Sequence, residues 1–509
     1  MAINSKRIAK NTVFLYIRLV LVMGVTLYMS RVVLDKLGAS DYGLYYVVYG
    51  VIGMVSFLNT TLSSGTSRFI TFALGKGDEK SLATTFSTTM LTHVGMAIFI
   101  LILGETVGLW YATHIMVVPE DRFSAAMWVY QISIISTMVS ILLVPFYSEI
   151  MAHERMNVYA FVGIYEAVAK LSVVYMLVKV PHDKLVVFAF LQFLVNLSTF
   201  LFYVWYTRRQ FKEVRFSIEF DKNIFKSIAK FSGWNMIATL SNTLMTQGVI
   251  MLFNLFFLPV VVAAQSIANQ ISQAIHLLVN NVRSAISPQV IKLYAEENYK
   301  ESQRLTFLSS EFIFYLLLLI GVPCLMTMDQ ILSIWLVEVP EYTAGFARWV
   351  VLQAILSNFN AAFYTPMIAA NKLSKNSYAA IILCVAQFVV LWVLFYMGEG
   401  PMWARYLPIV STVIYSFVVK PYILWKDIDY NLGEIYHVIW RCMRITIPIT
   451  LICVLLYIKI PQDTFLTSVV LLFVSFAVVA ICSYMNMNKS MKKSMNSYVV
   501  NVVKRINHK

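Results

Sequence analysis

The sequence predicts an all-α polytopic membrane protein of about fourteen transmembrane helices. Two parallel six-helix repeats would surround a central cleft, with two further helices at the C-terminal end. Three observations predict it. The 509 residues are 59% apolar, with a mean hydropathy of +0.71 and only 13% charged, about half the quarter usual in soluble proteins. Apolar runs of about 20 residues, long enough to cross a hydrocarbon core, recur from end to end. A plan laid out in the first run returns later in the chain, the mark of duplication.

The spans fall at 13–34, 44–63, 84–104, 124–148, 159–180, 184–206, 232–257, 260–282, 305–326, 344–368, 377–397, 403–425, 437–458 and 463–485. Lys6, Arg7 and Lys10 precede the first run. That run is long, contains Arg18 and lacks a small-residue cleavage site, so it reads as a retained span rather than a cleaved signal. With the N-terminus in the cytoplasm, 30 of the 40 lysines and arginines fall in cytoplasmic segments and 8 in outer ones. The other two, Arg18 and Lys170, lie inside spans. This bias predicts that both termini are cytoplasmic. It also accounts for the net charge of +14, which reflects topology and attraction to anionic headgroups rather than nucleic acid.

IAK at Ile8–Lys10 reappears at Ile228–Lys230, and the turn at Gly38–Gly43 is answered by Leu258–Ala263. Ser67 is answered by Ser287, and VPE at Val118–Glu120 by Val339–Glu341. Asn157, Tyr159 and Ala160 match Asn376, Tyr378 and Ala379. Spans 1–6 thus correspond to spans 7–12. An even number of spans separates the copies, so they share one orientation and relate by an axis along the membrane normal. The expected organisation is an N-terminal six-helix lobe at 1–206, a basic cytoplasmic linker at 207–231 and a second lobe at 232–425, followed by two additional helices and a basic tail at 426–509.

No loop is large enough for a soluble catalytic domain, so no enzyme activity is expected, and GxxxxGK[ST] is absent. The five cysteines, Cys324, Cys384, Cys442, Cys453 and Cys482, sit in apolar runs without a CxxC pair and read as small buried hydrophobes. No metal site or other cofactor is expected.

Polar stripes mark the cleft. At 100° per residue, Gln265, Asn269, Ser272, Gln273, His276 and Asn280 share one face of span 8. Span 2 carries Tyr45, Tyr49, Ser56, Thr60 and Ser63 on the repeat-equivalent face. Span 7 carries Asn235, Thr239, Asn242 and Thr246, and span 10 Gln353, Ser357, Asn360 and Tyr364. Any one such residue can serve as an interhelical hydrogen bonder; four continuous stripes favour a wet lumen. Lys170 lies near the middle of span 5 with Glu166 one turn before it, the favourable orientation for a helical ion pair. The pair is either structural or a lumenal cation for an anionic substrate, with Glu166 tuning it or carrying a proton. Arg18 either snorkels to the cytoplasmic face or serves the same lumen. By repeat position Arg18 maps to Ala238, and Lys170 to about Val389, so the second lobe is expected to be neutral and amide-rich. Arg31, Arg68, Arg283 and Arg348 sit near span ends, where interfacial anchoring is the default. His276, on its stripe, is a candidate for proton handling.

The basic N-terminus, Arg18, the LGASDYGLY turn at Leu37–Tyr45, SRFI at Ser67–Ile70 and the duplicated twelve spans plus two resemble the polysaccharide (O-antigen) flippases. These belong to the multidrug/oligosaccharidyl-lipid/polysaccharide exporter superfamily, which shares a fold with MATE transporters. The resemblance implies translocation of undecaprenyl-pyrophosphate-linked oligosaccharide units across the bacterial inner membrane. It implies a cationic lumen for the headgroup, with Arg18 at the family-like position, and coupling to an H+ or Na+ gradient. Implied partners are the lipid-linked oligosaccharide, membrane lipids, a polysaccharide polymerase and glycosyltransferases. A lipid II flippase is the nearest alternative. A MATE-type drug antiporter would want intramembrane carboxylates in the first lobe, and span 1 offers Arg18.

Overall fold

The computed structural model describes residues 5–488 and 492, apart from 55, 77, 154, 178–180, 182, 215–218, 371 and 461–463. Side-chain surroundings are described from residue 21 onward, apart from 56, 60, 64, 76, 231, 232, 234, 235, 237, 238, 242, 281, 284, 285, 288 and 358–361. Every described element is helical, as a bilayer requires when backbone polar groups must be satisfied within each segment. The first half holds α1 (Ser5–Gly53), α2 (Ser56–Lys76), α3 (Glu79–Leu103), α4 (Leu109–His114), α5 (Phe123–Ala152), α6 (Met156–Leu177) and α7 (Lys184–Gln210). There follow α8 (Lys222–Thr243), α9 (Val249–Phe256), α10 (Pro259–Ala295), α11 (Tyr299–Met326), α12 (Met328–Trp335), α13 (Thr343–Leu356) and α14 (Asn358–Ala369). The chain continues through α15 (Ser374–Tyr396), α16 (Trp403–Ile414), α17 (Lys420–Ile428), α18 (Leu432–Arg444), α19 (Thr446–Lys459) and α20 (Phe465–Asn486).

Nine helices among the described residues are long and apolar enough to cross a membrane, and ten if the bent pair Leu21–Gly53 and Phe57–Gly75 counts as one span. The nine coincide with predicted spans 3–6, 9 and 11–14, and the bent pair carries spans 1 and 2. Spans 7, 8 and 10 carry the polar stripes, α13 and α14 are interrupted at Ser357, and part of each of these spans lies outside the residues whose side chains are described. Large apolar side chains stay exposed on the outer helices, such as Ile382 at 67%, Leu451 at 63% and Phe473 at 66%. In water so large an apolar surface would be a liability; in a bilayer it is the lipid contact.

Two compact units result. Unit 1 comprises Met1–Ile267, Trp335–Thr343 and Cys384–Pro401; unit 2 comprises Ala268–Ile334, Ala344–Leu383 and Met402–Lys509. Each contains the same interhelical hydrogen bond. In unit 1, Ser67 Oγ lies 2.9 Å from Ser148 Oγ. In unit 2, Ser287 Oγ lies 3.0 Å from Thr365 Oγ1. Ser148 ends a Phe-Tyr-Ser triplet and Thr365 a Phe-Tyr-Thr triplet, so the duplication extends to a paired hydroxyl contact.

Within unit 1, the LGASDYG segment is a close-contact motif. Gly38 has φ 79 and ψ 166, open only to glycine, and breaks α1 between the first two spans. Arg122, at the start of α5, holds Asp41 through two hydrogen bonds of 2.9 and 2.6 Å and Asp183 through two more of 2.6 and 3.1 Å. Asp183 also caps α7 at the Leu185 and Val186 amides. Burial raises the Asp183 carboxyl, but the hydrogen bonds and charge of Arg122 and these amides outweigh it, so the group sits below its ordinary value. A Cβ on Gly43 would stand 1.9 Å from the Pro259 carbonyl oxygen. Nearby, the Asn254 side chain accepts from the Val117 amide at 3.0 Å and donates to its carbonyl at 2.7 Å.

In unit 2, α18 is amphipathic: Ile435, Val438, Ile439 and Cys442 are buried at i, i+3, i+4 and i+7 spacing. It leads into α19, so the predicted span 13 opens with a surface helix. Arg441 on α18 donates to Glu311 Oε1 at 2.9 Å, and Asn488, beyond α20, donates to Oε2 at 3.0 Å. Glu311, on α11, is buried, so this carboxylate ties the appended helices to the repeat.

Gly43→Ala is expected to destabilise the protein by about 3 kcal/mol, because the obstructing atom is backbone and cannot rotate away. Thermal unfolding in detergent should show the loss, with Gly75→Ala, where a Cβ meets nothing within 4 Å, as the silent control.

Candidate functional site

A buried lysine and a partly buried arginine share a cavity in unit 2. A cavity of about 360 Å³ is lined by His276, Asn280 and Arg283 from α10, by Ser357 and Tyr364, and by Asn376, Tyr415 and Lys420. Its volume is at the lower end of ligand pockets, roughly 300–1,000 Å³. Helical spacing on α10 brings His276, Asn280 and Arg283 to one face. The other wall depends on a π-helical turn, Tyr415–Val419, just before α17. Such a turn inserts one residue into the helix and redirects the side chains that follow.

Lys420 is 2% exposed. Its Nζ lies 5.2 Å from the centroid of the Tyr364 ring and 5.3 Å from that of Tyr415. The Arg283 guanidinium carbon lies 5.6 Å from the centroid of the same Tyr364 ring. The Tyr415 hydroxyl donates to Asn376 Oδ1 at 2.8 Å, which fixes that ring. An ammonium inside a bilayer segment costs about 3 kcal/mol on insertion scales; desolvated cation–π contacts recover about 2 kcal/mol. The remainder is available to an anion entering the cavity beside Lys420 and Arg283.

This corrects the expectation of a neutral second half. Lys420 counts along the chain as a cytoplasmic topology charge, and Arg283 as an interfacial anchor. Folding turns both onto the cavity. Arg405, counted as an outer charge, is likewise buried, with its guanidinium 5.4 Å from the Phe346 ring centroid and a long 3.5 Å contact to Asn269 Oδ1.

The other sequence-derived candidates divide. His276 lines the cavity, and Gln273 is exposed on the same helix. Gln265 is buried. Gln353 donates to Thr412 Oγ1 at 3.3 Å, an interhelical bond. Tyr45 packs edge-on against Phe188 at 5.0 Å, while Tyr49 is 45% exposed. Lys170 donates to Glu166 Oε1 at 2.5 Å, with both side chains 37% exposed; the expected i,i+4 pair is formed, one turn of α6 from Lys170. The side chains of Arg18, Asn235, Asn242 and Asn360 lie outside the described residues. Sequence reasoning missed Lys420. The signal that could have found it is its place between Tyr415 and Tyr422, beside Pro421, in an otherwise apolar run.

No family model and no curated protein matches the chain. Among solved structures, an inward-facing multidrug resistance MATE family transporter of the MOP superfamily superposes with a TM-score of 0.67 at 14% identity, over 83% of this chain and 99% of that one. The lipid II flippase MurJ, in an inward closed conformation, gives 0.66 at 12% identity, over 94% of this chain and 99% of that one. An outward-facing MATE family transporter gives 0.56 at 14% identity, over 84% and 96%. At these identities the likeness concerns architecture: this chain has the all-helical, polytopic membrane fold of the MATE transporters and MurJ.

Proposed function

We propose that this protein flips undecaprenyl-pyrophosphate-linked oligosaccharide units from the cytoplasmic to the outer leaflet of the bacterial inner membrane, with both its termini cytoplasmic. The observation that carries the reading is the cavity at Lys420 and Arg283. A pyrophosphate-sugar headgroup combines dense negative charge with hydroxyl-rich rings. The buried Lys420 and the partly buried Arg283 supply the first match, and aromatic faces and amides supply the second. The lipid tail would remain in the bilayer, where the exposed apolar surface of the helices already accommodates lipid.

The mechanism is alternating access between the two halves of the duplication. The residues perform no covalent chemistry. Lys420 and Arg283 offset phosphate desolvation, and Arg18 and Lys170 would extend the same service in the first half. A proton or sodium gradient supplies the driving force, with Glu166 and His276 as the titratable candidates. A polymerase and glycosyltransferases would act on either side of this step. Lipid II is the second reading, favoured by the MurJ likeness over 94% of the chain; it presents the same pyrophosphate and differs in the sugar.

The test is a lipid-linked glycan accumulation assay in a deletion strain, complemented with wild type, Lys420→Met, Arg18→Ala, Lys170→Ala or Glu166→Gln. Without the protein, undecaprenyl-pyrophosphate-linked repeat units should accumulate on the cytoplasmic side, and Lys420→Met should fail to clear them. Accumulation of lipid II instead would select the second reading. Glycan reaching the outer face at the normal rate without the protein would exclude both.

A second measurement separates function from folding. A charge taken from water into a low-dielectric interior carries a desolvation cost that an apolar side chain of similar volume does not. Lys420→Met should therefore unfold in detergent no earlier than wild type. A large loss of thermal stability would make Lys420 a structural residue.

A further inference from the structure

A second cluster lies in unit 1. Glu149 is in the last turn of α5, and His153 follows at i+4 as its C-cap residue. Glu213 is in the segment that leaves α7. His153 Nε2 lies 2.7 Å from Glu213 Oε1 and 3.7 Å from Glu149 Oε2. One donor atom from each residue falls within 4.8 Å of the other two.

Glu149 is the anomalous member. Its side chain is 0% exposed, and among the described residues neither carboxylate oxygen has a hydrogen-bond partner. Among the described residues, neither Glu149 nor Glu213 forms an ion pair with a lysine or arginine. A buried carboxylate without a donor is costly, and native structures seldom leave one so. His153 is held in place by stacking on Phe211 at 4.0 Å between centroids with the planes 10° apart. Phe211 and Val214 flank Glu213 and are both buried in the core formed with Phe146, Ile150 and Tyr203. The donors are thus mounted on two packed elements rather than on mobile surface.

We propose that Glu149, His153 and Glu213 bind one divalent transition-metal ion of the zinc class, which clamps the end of α5 to the chain leaving α7. Zinc accepts both imidazole nitrogen and carboxylate oxygen as ligands, and the imidazole weighs against magnesium or calcium. The ion places a fixed positive charge between two acids that have no lysine or arginine partner among the described residues. His153 Nε2 exchanges its hydrogen bond to Glu213 for a bond to the metal, and a Glu149 carboxylate oxygen becomes a ligand. The clamp joins the last fixed turn of the fourth span to the start of the linker between the two repeats, so it sets where that linker begins.

Tag-free, full-length protein in detergent, stripped with EDTA, is dialysed against Zn²⁺ and its metal content measured by mass spectrometry. The wild type should retain one Zn²⁺ per chain, unfold at a higher temperature with Zn²⁺ than without, and show no such response to Mg²⁺. With Co²⁺ it should develop visible ligand-field absorption. His153→Asn, Glu213→Gln and Glu149→Gln should each weaken Zn²⁺ binding by about 100-fold or more, since even the supporting shell of a metal site is commonly worth 10–100-fold. If Glu149→Gln does not fold, the two more peripheral variants decide. Absence of stoichiometric zinc in the wild type overturns the proposal, as does wild-type affinity in His153→Asn and Glu213→Gln. Stabilisation by Glu149→Gln that is independent of zinc, with no zinc retained by the wild type, would show a neutral buried acid instead.

Discussion

The ammonium of Lys420 has to be accommodated inside a segment that crosses the membrane, and its surroundings in unit 2 follow from that demand. Two tyrosine rings face it, one of them fixed by a hydrogen bond to Asn376. The π-helical turn at Tyr415–Val419 sits immediately before it. A regular helix would aim Lys420 about a quarter-turn elsewhere, since one inserted residue shifts the phase by roughly 100°. Arg283, three residues beyond Asn280 on α10, adds a second cation to the same space. Two like charges held this close favour an anion between them more than either would alone.

The remainder of the molecule supplies rigidity. Polar groups in both units are spent on joining helices. Asn196 Nδ2 binds Ser136 and Ser140 across α7 and α5 at 2.9–3.0 Å. The Tyr130 hydroxyl donates at 2.6 Å to Gly104 O, a carbonyl in the π-helical turn Gly104–Gly108. Many threonines return their hydroxyls to the carbonyl four residues earlier, as Thr61, Thr85 and Thr207 do. In hydrocarbon these are the affordable ways to carry a polar side chain.

Most of the fold was legible in the sequence, because hydropathy acts through the bilayer rather than through packing detail. The duplication was legible too, and Ser67 and Ser287 prove to be the residues that make the equivalent contact in each copy. The LGASDYG segment was legible as a marker but not as a mechanism. Its glycines and Asp41 serve close approach and an ion pair, which need partners at Pro259, Arg122 and Asp183 that no local pattern announces. The site was less legible. Lys420 lies near the end of an apolar run, where counting assigns it to the interface; a π-helical turn and two distant tyrosines bring it inside. Likewise Glu149 and His153 share a helix face, but Glu213 joins them only through the chain's return after α7.

The account rests on Lys420 serving a phosphate-bearing headgroup rather than the fold. The most direct measurement reconstitutes the protein into liposomes with an undecaprenyl-pyrophosphate-linked oligosaccharide in one leaflet and follows its appearance in the other. Wild type should translocate it, and Lys420→Met, equally well folded in the same vesicles, should fall to the protein-free rate. Equal rates for the two proteins would contradict the account.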